Sequence, residues 1–100
     1  KEDVPDYRNS QSINIIKKLL KKGFNLDTFD TLINIKNVGV ANHYTNLKNL
    51  KNKSYDLILI LVGNKEIKNK GYMFFKKLLK PNGLLFDIKN IFKYKSDFKL

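Results

Sequence analysis

The sequence predicts one small α/β domain with a mostly parallel sheet. Three observations carry that prediction. Segments with apolar residues at helical spacing alternate with short runs of strand type along the whole chain. The run 57–62 is continuously apolar, as in a strand buried on both faces. At 100 residues, 42% of them apolar, the chain suffices for one modest core.

Residues 1–10 are polar, contain Pro5 and read as a loop, with Asn9 or Ser10 available to cap a following helix. Ile13, Ile16 and Leu20 then recur at three- and four-residue spacing, and Ile15 and Leu19 widen the stripe. Lys17, Lys18, Lys21 and Lys22 fill the other face, which makes an amphipathic helix. Gly23 supplies a left-handed stop, and the late lysines suit the helix dipole.

Residues 24–29 alternate apolar and polar and read as a short strand ending at Asp30. A second, weaker strand falls within 38–44, and Leu47 and Leu50 indicate a short helix before Ser54. After the strand at 57–62, Gly63 and Asn64 open a polar loop. Tyr72, Phe75, Leu78 and Leu79 follow helical spacing, with Lys76 and Lys77 outward. Pro81, Asn82 and Gly83 signal a turn, residues 84–86 a short strand ending at Asp87, and 97–100 a last strand. The order is helix, strand, strand, helix, strand, helix, strand. Right-handed crossovers between parallel strands give a Rossmann-like three-layer α/β domain, except that the central strand which normally opens such a domain is missing from the chain.

The charge is +11, and 19 of the 20 basic residues are lysine; Arg8 is the lone arginine. A small basic nucleic-acid-binding α/β module is the alternative reading this charge invites. The lysines are spread over the whole chain rather than gathered, and the bidentate arginines that read bases are lacking, so nucleic acid is not the expected partner. The 13 asparagines and the frequent lysine and isoleucine point to an AT-rich coding sequence. Cysteine is absent, which excludes a disulfide framework, a zinc finger and a cysteine nucleophile. The longest apolar run, six residues, is far short of a membrane span, and no signal peptide opens the sequence, so the expected location is cytoplasmic.

The five glycines stand at 23, 39, 63, 71 and 83, so no pair forms a dinucleotide or triphosphate loop. His43 has no serine elbow or paired acid around it and reads as a surface or loop histidine. Asp27 and Asp30 read as turn aspartates and Asp87 as a positioning residue. Tyr72 and Phe75 read as core rather than base-stacking residues. Lys1 and Arg8 stand in a loop that leads into a helix start, where positive charge and free N–H groups favour a phosphate-bearing ligand at the carboxyl edge of the sheet.

That loop, with Lys1, Asp6, Arg8 and Ser10 in order, resembles the opening loop of the C-terminal domain of the UDP-glucose/GDP-mannose dehydrogenase family. Lys1-Glu2 and Pro5-Asp6 resemble the branch acting on UDP-N-acetylhexosamines. The helix to Gly23, Asp27 to Asp30, Tyr55-Asp56 with its apolar strand, Asn64-Lys65-Glu66, the run from Leu78 to Gly83, and Phe86-Asp87-Ile88-Lys89-Asn90 follow in the family's order. Thr31 stands where a proline is usual and Asn64 where a histidine is common.

The resemblance implies an NAD-dependent nucleotide-sugar 6-dehydrogenase that oxidises C6 of a UDP-sugar to a carboxylate. It implies that this chain is the UDP-binding part, 1–100, of a longer enzyme, beginning just after the domain's first strand. The missing strand would lie between the strands at 24–29 and 57–62, in one parallel sheet with 84–87. The partners implied are the UDP-sugar and the N-terminal and middle parts of the same enzyme, a homodimer. NAD and the catalytic cysteine belong mainly to those parts, so this chain alone is expected to be inactive. By position, Lys1 and Lys89 would contact the substrate, and Arg8 the NAD of the facing domain. Lys89 replaces a common arginine, keeping the charge without the bidentate fork. Asp6 and Ser10 would shape the loop. A degenerate α/β domain kept as an interaction partner is a further alternative.

Overall fold

A computed structural model describes residues 10–30 and 39–93. The chain divides into two compact units that meet in sequence between Leu50 and Lys51. Lys1, Arg8 and the strand expected at 97–100 lie outside the described residues.

In the first unit, helix α1 spans Ser10–Lys21. Gly23 ends it at φ +93°, donating its N–H to Leu20 O at 3.0 Å, while Phe24 donates to Leu19 O at 3.2 Å. This pair of bonds is a Schellman closure, and it satisfies carbonyls the helix end leaves open. It also explains a correction. The strand expected over 24–29 is only Asp27–Phe29 (β1). The Phe24 N–H is committed to the helix end and cannot join a ladder, and its ring stands 56% exposed.

Strand β2, Asn42–Tyr44, pairs with β1 in parallel, with Asp27 opposite Asn42 and Thr28 opposite His43. Ala41 N–H to Leu26 O and Asp30 N–H to Tyr44 O extend the ladder at its two ends. Side chains repeat the register, as Asn42 Nδ2 donates to Asp27 Oδ1 at 3.0 Å. Thr28 Oγ1 and His43 Nδ1 share a hydrogen bond at 2.8 Å. His43 is therefore a half-buried strand residue, not the surface or loop histidine expected. The short helix expected near Leu47 is a single 3-10 turn, Leu47–Asn49, capped by Asn46, with Leu47 buried.

In the second unit, β3 spans Tyr55–Ile60 and β4 spans Leu79–Asp87, paired in parallel. Two helices lie between them in sequence, α2 (Lys65–Lys70) and α3 (Tyr72–Leu78). Phe75 and Leu78 of α3 are buried, as are Ile60, Leu79 and Leu85, and together with Ile67 and Phe92 they form this unit's core.

Three sequence readings need correction here. Helix α2 was not expected; it carries one buried apolar residue, Ile67, so its stripe is too sparse to stand out. Leu79 begins β4 rather than ending a helix. The turn expected at Pro81 to Gly83 is a bulge within β4: Tyr55 pairs with Leu79 and Leu57 with Leu84, so the extra residues loop out between those pairs. Pro81 can give no N–H to a ladder, which suits it to that place.

Strand β3 is not buried on both faces. Ile60 is buried, but the register partners Leu57 and Leu84 are 48% and 41% exposed. The α/β class with parallel pairing stands, with helices α1, α2 and α3 and two parallel strand pairs among the described residues.

Candidate functional site

Parallel strands align their carboxyl ends, and ligands of open α/β sheets bind beyond those ends. In the second unit that edge lies where Ile60 and Asp87, the last register pair of β3 and β4, give way to two loops. One loop, Leu61 to Asn64, leads into α2. The other is the turn from Ile88 to Phe92.

Both loops are held by specific bonds. Asn64 is only 4% exposed, and its Oδ1 accepts the Ile67 N–H at 3.0 Å, capping α2. Ile88 N–H continues the ladder to Ile60 O at 3.2 Å. Asn90 N–H returns to Asp87 O at 3.2 Å, and Asn90 takes φ +54° to make the reversal. The Asp87 side chain, 1% exposed, accepts the Phe92 N–H through Oδ2 at 2.9 Å. Phe92 is buried, its ring centroid 5.7 Å from that of Phe75 and 6.2 Å from that of Tyr72. The loops also touch each other: a Cβ placed on Gly63 would stand 3.4 Å from the Ile91 side chain and 3.9 Å from Lys89 Cβ.

Lys89 projects from this turn, exposed, at the carboxyl edge of the pair. It is the one substrate-contact candidate among the described residues; Lys1, Asp6 and Arg8 lie outside them, and Ser10 opens α1. Asp27 Oδ1 is engaged with Asn42, and the Asp30 N–H closes the β1–β2 ladder, so neither the pairing nor the register calls for a ligand there.

Two buried polar atoms have no hydrogen-bond partner among the described residues, His43 Nε2 and Asp87 Oδ1. Asp87, read from the sequence as a positioning residue at a strand end, accepts the Phe92 N–H there. The identity of its partner, the Phe92 N–H, has no signal in the sequence, because every residue but proline carries the same donor.

No closely spaced glycine pair stands among the described residues, whose glycines are at 23, 39, 63, 71 and 83. At the turn between β3 and α2, Gly63 is followed by Asn64, whose side chain is buried and committed to the helix cap. The described residues also hold no group of three or more His, Asp or Glu side chains that could bind a metal ion, and no helix long and apolar enough to cross a membrane.

In open parallel α/β folds, the loops beyond the carboxyl ends of the strands are where ligands bind. Comparison with known proteins places this chain: residues 1–94 match the UDP-glucose/GDP-mannose dehydrogenase family, UDP binding domain, and the chain belongs to that family. It is 30% identical to a UDP-N-acetyl-D-glucosamine 6-dehydrogenase of Pseudomonas aeruginosa, with all of this chain and 24% of that protein aligned. It is 29% identical to a UDP-N-acetyl-D-glucosamine 6-dehydrogenase of Salmonella typhi, over 91% of this chain and 21% of that protein. The chain thus spans about a quarter or less of the length of these curated relatives. No solved structure matches.

Proposed function

We propose that the chain is the UDP-binding part of an NAD-dependent UDP-sugar 6-dehydrogenase that converts the C6 hydroxyl of a UDP-N-acetylhexosamine to a carboxylate. The observation that carries this reading is the family match over 1–94 together with two relatives that are both UDP-N-acetyl-D-glucosamine 6-dehydrogenases. In this reading NAD and the oxidation chemistry belong to other parts of a longer cytoplasmic, dimeric enzyme. The work of this chain is to hold the nucleotide end of the substrate. Lys1 and Lys89 contact the UDP-sugar, and Arg8 reaches towards NAD in the facing domain. A lysine at position 89 meets a diphosphate as a point charge, without the two-pronged geometry of an arginine.

Calorimetric titration with UDP tests this, in low and moderate salt, beside a Lys89→Ala variant. Saturable binding that weakens with salt and is lost in Lys89→Ala is the expected result. Binding indifferent to Lys89→Ala removes Lys89 from the site.

A further inference from the structure

The polar group of the second unit that the proposed function leaves unused is Asp87. It is 1% exposed, it ends β4, and among the described residues one of its two oxygens has a partner. A buried carboxylate is unfavourable unless it is hydrogen-bonded. The contact is known: Oδ2 accepts the Phe92 N–H at 2.9 Å, five residues on. That bond closes the turn on one side, while Phe92 packing on Phe75 and Tyr72 holds it on the other. Lys89 lies inside the closed turn, next to Ile88, whose N–H is fixed to Ile60 O. The Asp87 carboxyl atoms themselves are not exposed to a ligand.

We infer that Asp87 is a positioning residue: it fixes the turn from Ile88 to Phe92 and thereby aims Lys89 at an anionic ligand beyond the carboxyl ends of β3 and β4. The inference rests on the nucleotide reading for the identity of that ligand, not for the order of the turn. A bond from a backbone N–H to a carboxylate is stronger than one to a neutral acceptor, which suits a turn that holds Asn90 at positive φ.

The test measures two things on the full chain and on Asp87→Ala, Asp87→Asn and Lys89→Ala: amide hydrogen exchange at Phe92, and UDP affinity. Asp87→Ala is expected to speed Phe92 exchange by roughly tenfold or more and to weaken UDP binding about as much as Lys89→Ala does. Asp87→Asn keeps an oxygen for the Phe92 N–H, but as a neutral acceptor, and is expected to fall between wild type and Asp87→Ala in both. Lys89→Ala is expected to lose UDP with Phe92 exchange unchanged. Wild-type Phe92 exchange in Asp87→Ala overturns the inference. So does loss of UDP in both Asp87 variants with exchange unchanged, which would make Asp87 a direct contact. If the wild-type chain takes no UDP, the nucleotide reading fails, and the exchange measurement still decides the role of Asp87. If Asp87→Ala does not fold, the trans-hydrogen-bond coupling between the Phe92 amide nitrogen and the Asp87 carboxyl carbon decides: its presence supports the inference and its absence overturns it.

Discussion

Gly83 lies so close to Leu79 that a Cβ on it would stand 2.9 Å from the Leu79 Cβ. The same atom would stand 3.0 Å from the Tyr55 carbonyl oxygen of the neighbouring strand. The chain leaves the ladder at Leu79, makes the bulge through Pro81 and Asn82, and returns through Gly83 before Leu84 pairs with Leu57. The return is possible only where no side chain stands between the strands.

Gly83→Ala therefore forces either the Leu79 side chain or the β3 backbone to move. Leu79 is buried, so its displacement disturbs the core. The expected cost is about 1–3 kcal/mol, as for other overpacked sites. A fall in the urea midpoint with an unchanged slope is the measurement. An unchanged midpoint would mean that the bulge is not held this tightly.

Asn64 caps α2 through the Ile67 N–H and is itself buried. Asn64→Ala removes the acceptor and leaves that N–H without a partner inside the protein. The expected loss is about 1 kcal/mol, within the range for helix caps. Asn64→Asp keeps the acceptor and places a negative charge at a helix start, and so should recover most of it. Denaturant titration of the two variants side by side tests the cap: equal losses would show that packing, not capping, is what Asn64 supplies.

The Lys80–Asp56 ion pair measures 3.4 Å, with side chains 49% and 85% exposed. Water and salt screen such a pair, and two long side chains lose freedom to make it. Asp56→Asn is expected to change stability by no more than about 0.5 kcal/mol. A larger loss in thermal unfolding would show that the pair anchors the start of the β3–β4 ladder.

Much of this architecture was legible because it depends on local spacing. The stripe of α1 and its stop at Gly23, the helix at Tyr72 and the pairing strands around 58 and 85 all follow from periodicity and punctuation. What periodicity could not show was competition for the same backbone groups. Phe24 alternates like a strand residue, yet its N–H closes α1. Pro81 to Gly83 carry turn chemistry, yet the ladder resumes on both sides of them. Helix α2 is short, and its legible signals were the Asn64 cap and Glu66 in its first turn. At the candidate site, the place of Lys89 was legible as part of an ordered motif. The bond from Phe92 to Asp87 was not, since a backbone donor leaves no mark on residue type.

Phe92 joins that turn to the core, and its substitution separates packing from ring geometry. Its ring is tilted 40° against Phe75 and stands edge-on to Tyr72. Phe92→Ala empties a buried site and should cost about 3–5 kcal/mol. Small domains hold only about 5–15 kcal/mol in total, so this variant is expected to be largely unfolded on mild heating. Phe92→Leu keeps most of the volume and loses the ring contacts, which are worth about 0.5–1.5 kcal/mol beyond burial. It should fold, with a midpoint between those of wild type and Phe92→Ala. Neither variant removes the residue 92 N–H, so in folded Phe92→Leu that amide should stay protected by Asp87. If protection at residue 92 collapses in Phe92→Leu while the amides of β4 remain protected, the aromatic cluster rather than the Asp87 carboxylate holds the turn.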